Sequence, residues 1–240
     1  MPHEAGPVVR EADLARMPEP VRRYVIASGA VGRPVPRTMR LGADARMRRA
    51  PGDAGFAATM DQVSVLARPA RLFLMRARML GLPVRALHLY RGDDATFQVR
   101  AAGLLTMVDE AGEVISRGET VTVLNDLCVF APGGLVDQRL AWEAIDERTA
   151  GVTFRNGRWT VGATLRFNER DELVDFWSDD RPEHVDGAFQ PRRWRTPLSD
   201  YAEFDGVRLA RRGLAVYERP DGPFAYAEFT LRSIVFDDFT

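Results

Sequence analysis

Three polar side chains lie close together in an otherwise apolar segment over residues 116–130: Glu119, Asn125 and Asp126. If this segment is helical, Glu119 and Asp126 lie two turns apart on one face, with Thr122 between them. Carboxylates beside an apolar pocket could act as general acid or base, or could contact the head group of a ligand. Structural roles are the competing interpretation, because Glu119 could cap the helix and Asp126 could pair with an arginine.

A second charged group, Asp179-Asp180-Arg181, follows the aromatic pair Phe176 and Trp177. Alternation along a strand sends Asp179 and Asp180 to opposite faces, which excludes a carboxylate dyad on one side. We expect one of the two to point inward and to pair with Arg181 or with another arginine. A polar anchor for a ligand is the alternative.

Aromatic and sulfur-containing side chains could supply the wall of a ligand cavity. The predicted wall consists of Phe73, Met75, Trp177, Tyr201 and Trp194, with His88 on a neighbouring strand. Arg76 and Arg78 interrupt the opposite face of the strand that carries Phe73 and could together bind one carboxylate or phosphate. Alternatively, both arginines point to solvent or pair with acids of the C-terminal half.

Metal and nucleophile chemistry has little support in the sequence. The three histidines His3, His88 and His184 are far apart, whereas a metal site needs three or four suitable ligands. The single cysteine, Cys128, lies on the apolar stripe of the predicted helix and is expected to be a small buried hydrophobe. Glycine-rich phosphate loops, nucleophile elbows and CxxC pairs are also absent from the sequence. We therefore predict neither a metal nor any other cofactor.

The charge balance bears on the class of partner. The 240 residues include 33 basic residues, all arginine, and 34 acidic ones, for a net charge of −1. This balance argues against a dedicated nucleic-acid-binding protein, whose affinity rests on neutralising phosphates. Residues 1–100 carry 17 Arg against 9 acids, net +8, and residues 101–240 carry 16 Arg against 25 acids, net −9. We expect the two halves to pair in one sheet; docking of the basic half on anionic lipid or nucleic acid is the alternative.

The hydropathy pattern predicts a soluble protein. No apolar run approaches the roughly 18 residues that a membrane-spanning helix needs, so we predict no transmembrane segment. The N-terminal residues lack the basic and apolar regions of a secretory signal, and one cysteine cannot form a disulfide framework. We therefore expect a cytoplasmic protein.

Alternation with a period of two predicts about a dozen strands joined by short turns. An amphipathic helix precedes them, beginning near Glu19 after a pair of prolines and ending before Gly29. Short turns imply antiparallel neighbours, and a sheet of this size must curl to limit its exposed edges. We predict a flexible tail over residues 1–13 and one mainly β domain, a curved antiparallel half-barrel, over 14–240. The strands are expected at 37–49, 56–67, 71–80, 84–91, 96–101, 104–108, 139–148, 151–156, 159–168, 173–178, 200–204, 207–217 and 224–236.

One helix is predicted inside this β pattern, over residues 116–130. Ser116 and Glu119 have the spacing of a capping box, which would begin the helix at Ser116. Val121, Leu124 and Cys128 form one apolar stripe, and the opposite face is mixed rather than polar. A helix that is apolar on two sides is normally sandwiched, so we expect Leu124 and Cys128 to face the sheet and the helix to fill or lid its mouth.

An ordered set of short motifs resembles an uncharacterised bacterial family, domain of unknown function 6544. The similarity spans about residues 14–237, and no single motif is specific by itself. The matching segments are Pro18–Tyr24, Gly81–Val84, His88–Tyr90, Glu119–Cys128, Ala131-Pro132, Trp142-Glu143, Phe167-Asn168, Ser178–Arg181, Trp194, Pro197, Tyr201 and Gly206-Val207. Gly133-Gly134 departs from the family pattern and predicts a looser corner. The strand–helix order also resembles the half-barrel of lipoprotein carriers, which is an analogy of fold alone.

A large curled sheet encloses more volume than one helix fills, and this argument favours a binding protein. The predicted function is non-catalytic binding or carriage of a small hydrophobic, lipid-like ligand that could be anionic. One alternative is an enzyme that uses Glu119, Asp126 or Asp179 as general acid or base. A structural or regulatory protein without a small ligand is the other.

Overall fold

The computed structural model describes residues 6–185 and 187–238. The first five residues of the predicted tail, which include His3, lie outside the described residues. Within the described part, fourteen strands form one antiparallel sheet that curls into a half-barrel, as predicted. Its first six strands are β1 (Thr38–Met47), β2 (Phe56–Val65), β3 (Ala70–Met79), β4 (Leu82–Arg91), β5 (Asp94–Ala101) and β6 (Leu105–Ala111). The later strands are β7 (Leu140–Asp146), β8 (Thr149–Asn156), β9 (Trp159–Phe167), β10 (Leu173–Ser178), β13 (Trp194–Arg195), β14 (Leu198–Phe204), β15 (Val207–Arg219) and β16 (Gly222–Phe236). A separate hairpin, absent from the sequence prediction, consists of β11 (Glu183–Val185) and β12 (Ala188–Gln190).

The order of the sheet explains where the inner helix lies. The strands run β6-β5-β4-β3-β2-β1-β16-β15-β13-β10-β9-β8-β7, and β14 pairs with the first part of β15. The N-terminal and C-terminal halves of the chain therefore meet where β1 pairs with β16. Helix α2 (Glu113–Phe130) connects the two edge strands and packs against β5, β9, β10 and β15. This is the predicted internal helix, held inside the curl of the sheet.

The start of α2 differs from the prediction. The helix begins at Glu113, directly after β6, rather than at Ser116. Ser116 Oγ instead accepts a hydrogen bond from the backbone N–H of Ala95 at 3.0 Å. The Glu119 carboxylate is directed at Arg71 on β3. Because tertiary partners occupy both side chains, the predicted capping box is wrong.

Residues 6–13, which the sequence assigns to a flexible tail, pack on the domain. Val9 is buried, and its backbone N–H donates to the carbonyl of Arg33 at 2.8 Å. A short 3-10 helix (Glu11–Leu14) and helix α1 (Glu19–Ala27) follow. Tyr24 of α1 donates its hydroxyl hydrogen to the backbone carbonyl of Cys128 on α2 at 2.9 Å. The packed domain thus includes described residues that the sequence assigned to a tail.

The corner after α2 is tighter than the sequence predicted. A 3-10 helix (Pro132–Val136) begins there, and Gly133 and Gly134 are both buried in it. A Cβ atom placed on Gly134 would lie 2.6 Å from Cδ1 of Leu127, closer than two carbon atoms can approach. The glycine pair therefore permits close packing and does not loosen the corner.

Candidate functional site

A cavity of about 440 Å³ lies between α2 and the concave face of the sheet. This volume falls in the range of about 300–1,000 Å³ that is typical of small-molecule sites. The face of α2 that carries Glu119, Thr122 and Asp126 lines the cavity, whereas Leu124 and Cys128 are fully buried in the core. The apolar wall includes Met60, Phe73, Met75, Ala86, Phe97 and Trp194.

Arg71 connects the two carboxylates of the helix. Its Nε donates to Oδ2 of Asp126 at 2.7 Å, and its Nη1 donates to Oε2 of Glu119 at 3.2 Å. Arg71 lies on β3 two residues before Phe73, so alternation directs both side chains to the concave face. All three charged side chains are more than nine-tenths buried. One cation on the sheet thus holds two anions on the helix.

Gln62 on β2 extends this polar cluster. Its side-chain N–H donates to Oδ2 of Asp126 at 2.7 Å and to the hydroxyl of Ser64 at 3.0 Å. The residue is 1 % exposed, and its Oε1 has no hydrogen-bond partner among the described residues. A buried amide oxygen without a donor costs free energy. Gln62, a wall residue of the cavity, therefore carries an unsatisfied buried acceptor.

Glu119 has two further neighbours, a histidine and an arginine. Nδ1 of His88 lies 3.4 Å from its Oε1, without hydrogen-bond geometry, and Nη2 of Arg181 lies 3.7 Å away. The His88 ring stacks on Phe97 with a centroid distance of 3.9 Å. The Arg181 guanidinium lies 4.6 Å from the centre of the Trp194 ring. Aromatic contacts thus fix both groups beside the carboxylate.

The two carboxylates have opposite pKa shifts. Burial by itself would raise the pKa of Glu119, but its interactions with His88, Arg71 and Arg181 outweigh this effect and hold the pKa well below its ordinary value. Burial raises the pKa of Asp126, and its contacts with Arg71 and Gln62 offset only part of that rise. Glu119 is therefore a fixed anion, and Asp126 is the group that takes up a proton first.

Arg76 and Arg78, predicted to bind a head group, lie outside the cavity. They belong to the face of β3 opposite Phe73 and Met75 and are exposed. Arg76 pairs with the exposed Asp61, and Arg78 donates to the carbonyl of Gly81 at 3.2 Å. The alternation of β3 separates these arginines from the cavity, so the structure agrees with the alternative that they face solvent and not with a head-group role in the cavity.

Three other predicted site residues also lie elsewhere. Asp179 forms a two-bond ion pair with Arg193 on the outer side of β10, where it shares a shallow groove with Trp177. Tyr201 donates its hydroxyl hydrogen to the carbonyl of Leu173 at 2.7 Å, and burial raises its pKa. Trp177 and Asp179 lie on the outer side of the sheet, and Tyr201 packs against the core. None of these three side chains lines the cavity. The structure brings together Phe73, Met75, His88, Glu119, Asp126 and Arg181.

Sequence reasoning missed Arg71 and Gln62, although a signal was present. Arg71 continues the inward face of Phe73 and Met75, and Gln62 lies between Met60 and Ser64 on the inward face of β2. A polar residue in an apolar alternating face marks either a structural pair or a site. Trp194, predicted as a wall residue, does line the cavity.

The comparisons with known proteins give the family. The pattern of a family of unknown function, DUF6544, matches residues 7–229, nearly the whole chain. The chain belongs to the DUF6544 family. No match to this DUF6544 chain is found among curated proteins. Its motifs over Glu119–Cys128 and Ser178–Arg181 supply the buried carboxylates and Arg181 of the cavity.

The hairpin of β11 and β12 lies at the mouth of the cavity in this DUF6544 protein. Glu183 and His184 line the opening together with Arg219 of β15. Arg219 and Glu183 form an ion pair, and Nδ1 of His184 lies 2.7 Å from Oε1 of Glu110 on β6. These contacts connect the hairpin to both sides of the mouth. The hairpin therefore borders the entrance of the cavity.

Two other kinds of site have less support in the DUF6544 chain. An open depression of about 880 Å³ lies at the other end of the half-barrel; its wall combines alanine, proline and valine with three arginines and two exposed aspartates and contains no buried carboxylate. Among the described residues, no three histidine, cysteine or acidic side chains are arranged to hold a metal ion. No helix in the described ranges is long and apolar enough to cross a membrane. The cavity under α2 is the candidate site.

Proposed function

We propose that this cavity binds a small, largely hydrophobic molecule with a neutral polar head group, and that it binds the molecule without converting it. The observation that carries the proposal is the buried, unpartnered Oε1 of Gln62 in a cavity whose other walls are Phe73, Met75 and Trp194. Apolar pockets with a few convergent polar groups are typical ligand sites. The apolar part of the ligand would contact the aromatic wall.

The existing ion pairs of the cluster favour a neutral head group over an anionic one. Arg71 already contacts Glu119 and Asp126, and Arg181 already lies beside Glu119. An acid would have to enter beside two buried carboxylates, which raises its cost of desolvation. A hydroxyl or amide N–H would instead donate to Gln62 and remove an unsatisfied acceptor.

Displacement of a neutral fluorescent naphthylamine probe tests this proposal. We expect saturable probe binding, and we expect a long-chain alcohol to displace the probe about ten-fold more tightly than the acid of equal length. Gln62→Leu should remove this preference, because the acceptor is lost. Arg76→Gln with Arg78→Gln is the matched control and should change neither affinity.

Each negative result has a separate meaning. Tighter binding of the acid would reject the neutral head group and leave the cavity as a binding site. Failure of any apolar probe to bind would reject the binding function itself.

Acid–base catalysis is a second candidate, supported by the opposite pKa shifts of Glu119 and Asp126 in one cavity. Pairs of carboxylates separated in this way supply acids and bases in enzymes. Native mass spectrometry of a bound molecule before and after incubation distinguishes the two functions. An unchanged mass supports binding, and a mass change that Asp126→Asn abolishes supports catalysis.

The compartment is part of the proposal. Cys128 is a buried free thiol, and burial raises its pKa. Proteins without disulfides are typical of reducing compartments. We place the binding function in the cytoplasm, and a cell fractionation with antibody detection tests this placement.

A further inference from the structure

Four leucines are exposed at one corner of the half-barrel. Leu80 and Leu82 lie at the turn between β3 and β4, and Leu104 and Leu105 lie at the turn between β5 and β6. Leu80 is fully exposed and Leu104 is 92 % exposed. The two turns are neighbours, because the backbone N–H of Ala102 donates to the carbonyl of Pro83 at 2.8 Å. We call these four residues the leucine corner; such a concentration of exposed apolar side chains is typical of an interaction surface.

Behind the leucine corner, three arginines are direct cross-strand neighbours. Arg76 on β3 is opposite Arg85 on β4, and Arg85 is opposite Arg100 on β5. All three are exposed on the outer face of the sheet. Like charges placed directly opposite each other destabilise a sheet. We call this set the arginine ladder.

The rest of the protein neutralises little of this charge. Arg76 pairs with Asp61, whereas Arg85 and Arg100 form no ion pair with any described carboxylate. β6, the strand next to β5, places Thr106 opposite Arg100, and its two acids Asp109 and Glu110 lie opposite Gln98 and Phe97 instead. An external anion would relieve the repulsion within the ladder.

We propose that the leucine corner and the arginine ladder dock this protein on an anionic lipid bilayer. The apolar side chains protrude from two turns, and the arginines lie one strand segment behind them. This order matches the bilayer, in which acyl chains lie below a layer of phosphates that guanidinium groups bind. Docking on the bilayer does not require a ligand in the cavity. The two sites are at the same end of the half-barrel, where the turn residues Arg48 and Arg49 line the cavity.

Sedimentation of the full chain with vesicles tests this docking. We expect the protein to sediment with vesicles of equal parts phosphatidylglycerol and phosphatidylcholine. Its affinity for vesicles of phosphatidylcholine alone should be lower by a factor of about ten or more. Two variants, Leu80→Ser with Leu104→Ser and Arg85→Gln with Arg100→Gln, should each weaken binding to the anionic vesicles about ten-fold. Added salt should weaken the wild type because it screens the arginines.

A matched control removes an exposed apolar residue and an exposed arginine far from the corner. Ile145→Ser with Arg155→Gln, on edge strand β7 and its neighbour β8, should sediment like the wild type. Equal binding to both kinds of vesicle would overturn the role of the arginine ladder. Failure of the wild type to sediment with vesicles would overturn the proposal. It would also be overturned if the wild type bound no vesicles but self-associated, and Leu80→Ser abolished that self-association. Naphthylamine binding, measured on the same variants, reports the cavity separately.

Discussion

Arg71 on β3 donates a hydrogen bond to Asp126 on α2 at 2.7 Å, and each side chain is 8 % exposed. This contact joins the middle of the sheet to the helix that crosses it. Two charges removed from water cost several kcal/mol, and their attraction repays that cost only with good geometry and additional hydrogen bonds. Gln62 and Glu119 supply those bonds. The pair thus both positions α2 and forms the polar end of the cavity.

Removal of Arg71 should destabilise the fold strongly. Arg71→Met leaves Glu119 and Asp126 buried without their shared cation, and we expect the free energy of unfolding to fall by about 3–5 kcal/mol. Urea denaturation measures this loss. Arg76→Met, on the exposed face of the same strand, should cost less than about 1 kcal/mol. Similar losses in both variants would mean that the buried cluster does not hold α2.

The stability of the protein should depend on pH through Asp126. Because burial raises its pKa above 3.8, the native state binds the proton more tightly than the unfolded chain does. The resulting stability is fully present below about pH 3.8 and falls as the pH rises through the native pKa. Glu119 behaves oppositely: its stability is present above pH 4.5 and is lost as the pH falls through its lowered native pKa.

Asp126→Asn isolates the first of these two effects. The free energy of unfolding of the wild type minus that of the variant should decrease as the pH rises from about 4 to about 7. Urea denaturation at several pH values measures this difference. Thr59→Ala, an exposed residue on β2 that carries no titratable group, should show a nearly constant difference. A difference for Asp126 that is constant or grows with pH would contradict its raised pKa.

Leu124 should be a main support of the inner helix. Its side chain is fully buried, so Leu124→Ala is expected to lower the free energy of unfolding by about 2–5 kcal/mol. Val114→Ala on the same helix is the control, because Val114 is 42 % exposed. It should change stability by less than about 0.5 kcal/mol. A loss below about 0.5 kcal/mol for Leu124→Ala would show that the helix does not fill the half-barrel.

Two glycine substitutions should have opposite signs. Gly134→Ala places a methyl group against Leu127 and should destabilise by about 1–3 kcal/mol. Gly118 lies inside α2, where the nearest atom to an added Cβ is Cγ of Arg181 at 3.5 Å. Gly118→Ala should therefore stabilise the helix by up to about 1 kcal/mol. Thermal unfolding compares the two variants, and a stabilising Gly134→Ala would show that the corner is loose after all.

The sequence by itself determined the half-barrel and its inner helix. The alternation along segments such as 159–168 is a relation between residues two positions apart. The apolar stripe of Val121, Leu124 and Cys128 is a relation between residues three and four positions apart. These local periods are properties of the chain and need no tertiary information. For the same reason, the carboxylates Glu119 and Asp126 were recognised as members of one helix face.

Tertiary structure decided which strand faces meet that helix. Alternation separates Arg76 from Phe73 but does not tell which face is concave, so the sequence leaves open whether Arg76 and Arg78 face the cavity or solvent, and it gives no sign that Arg71 faces the cavity. The same limit applies to Trp177, whose neighbour Phe176 is the fully buried residue. The partner of Glu119 was likewise undetermined, because Arg71 lies 48 positions away in the chain. Which strand faces become concave depends on the curl of the whole sheet around α2. That curl results from many contacts between residues that are distant in sequence.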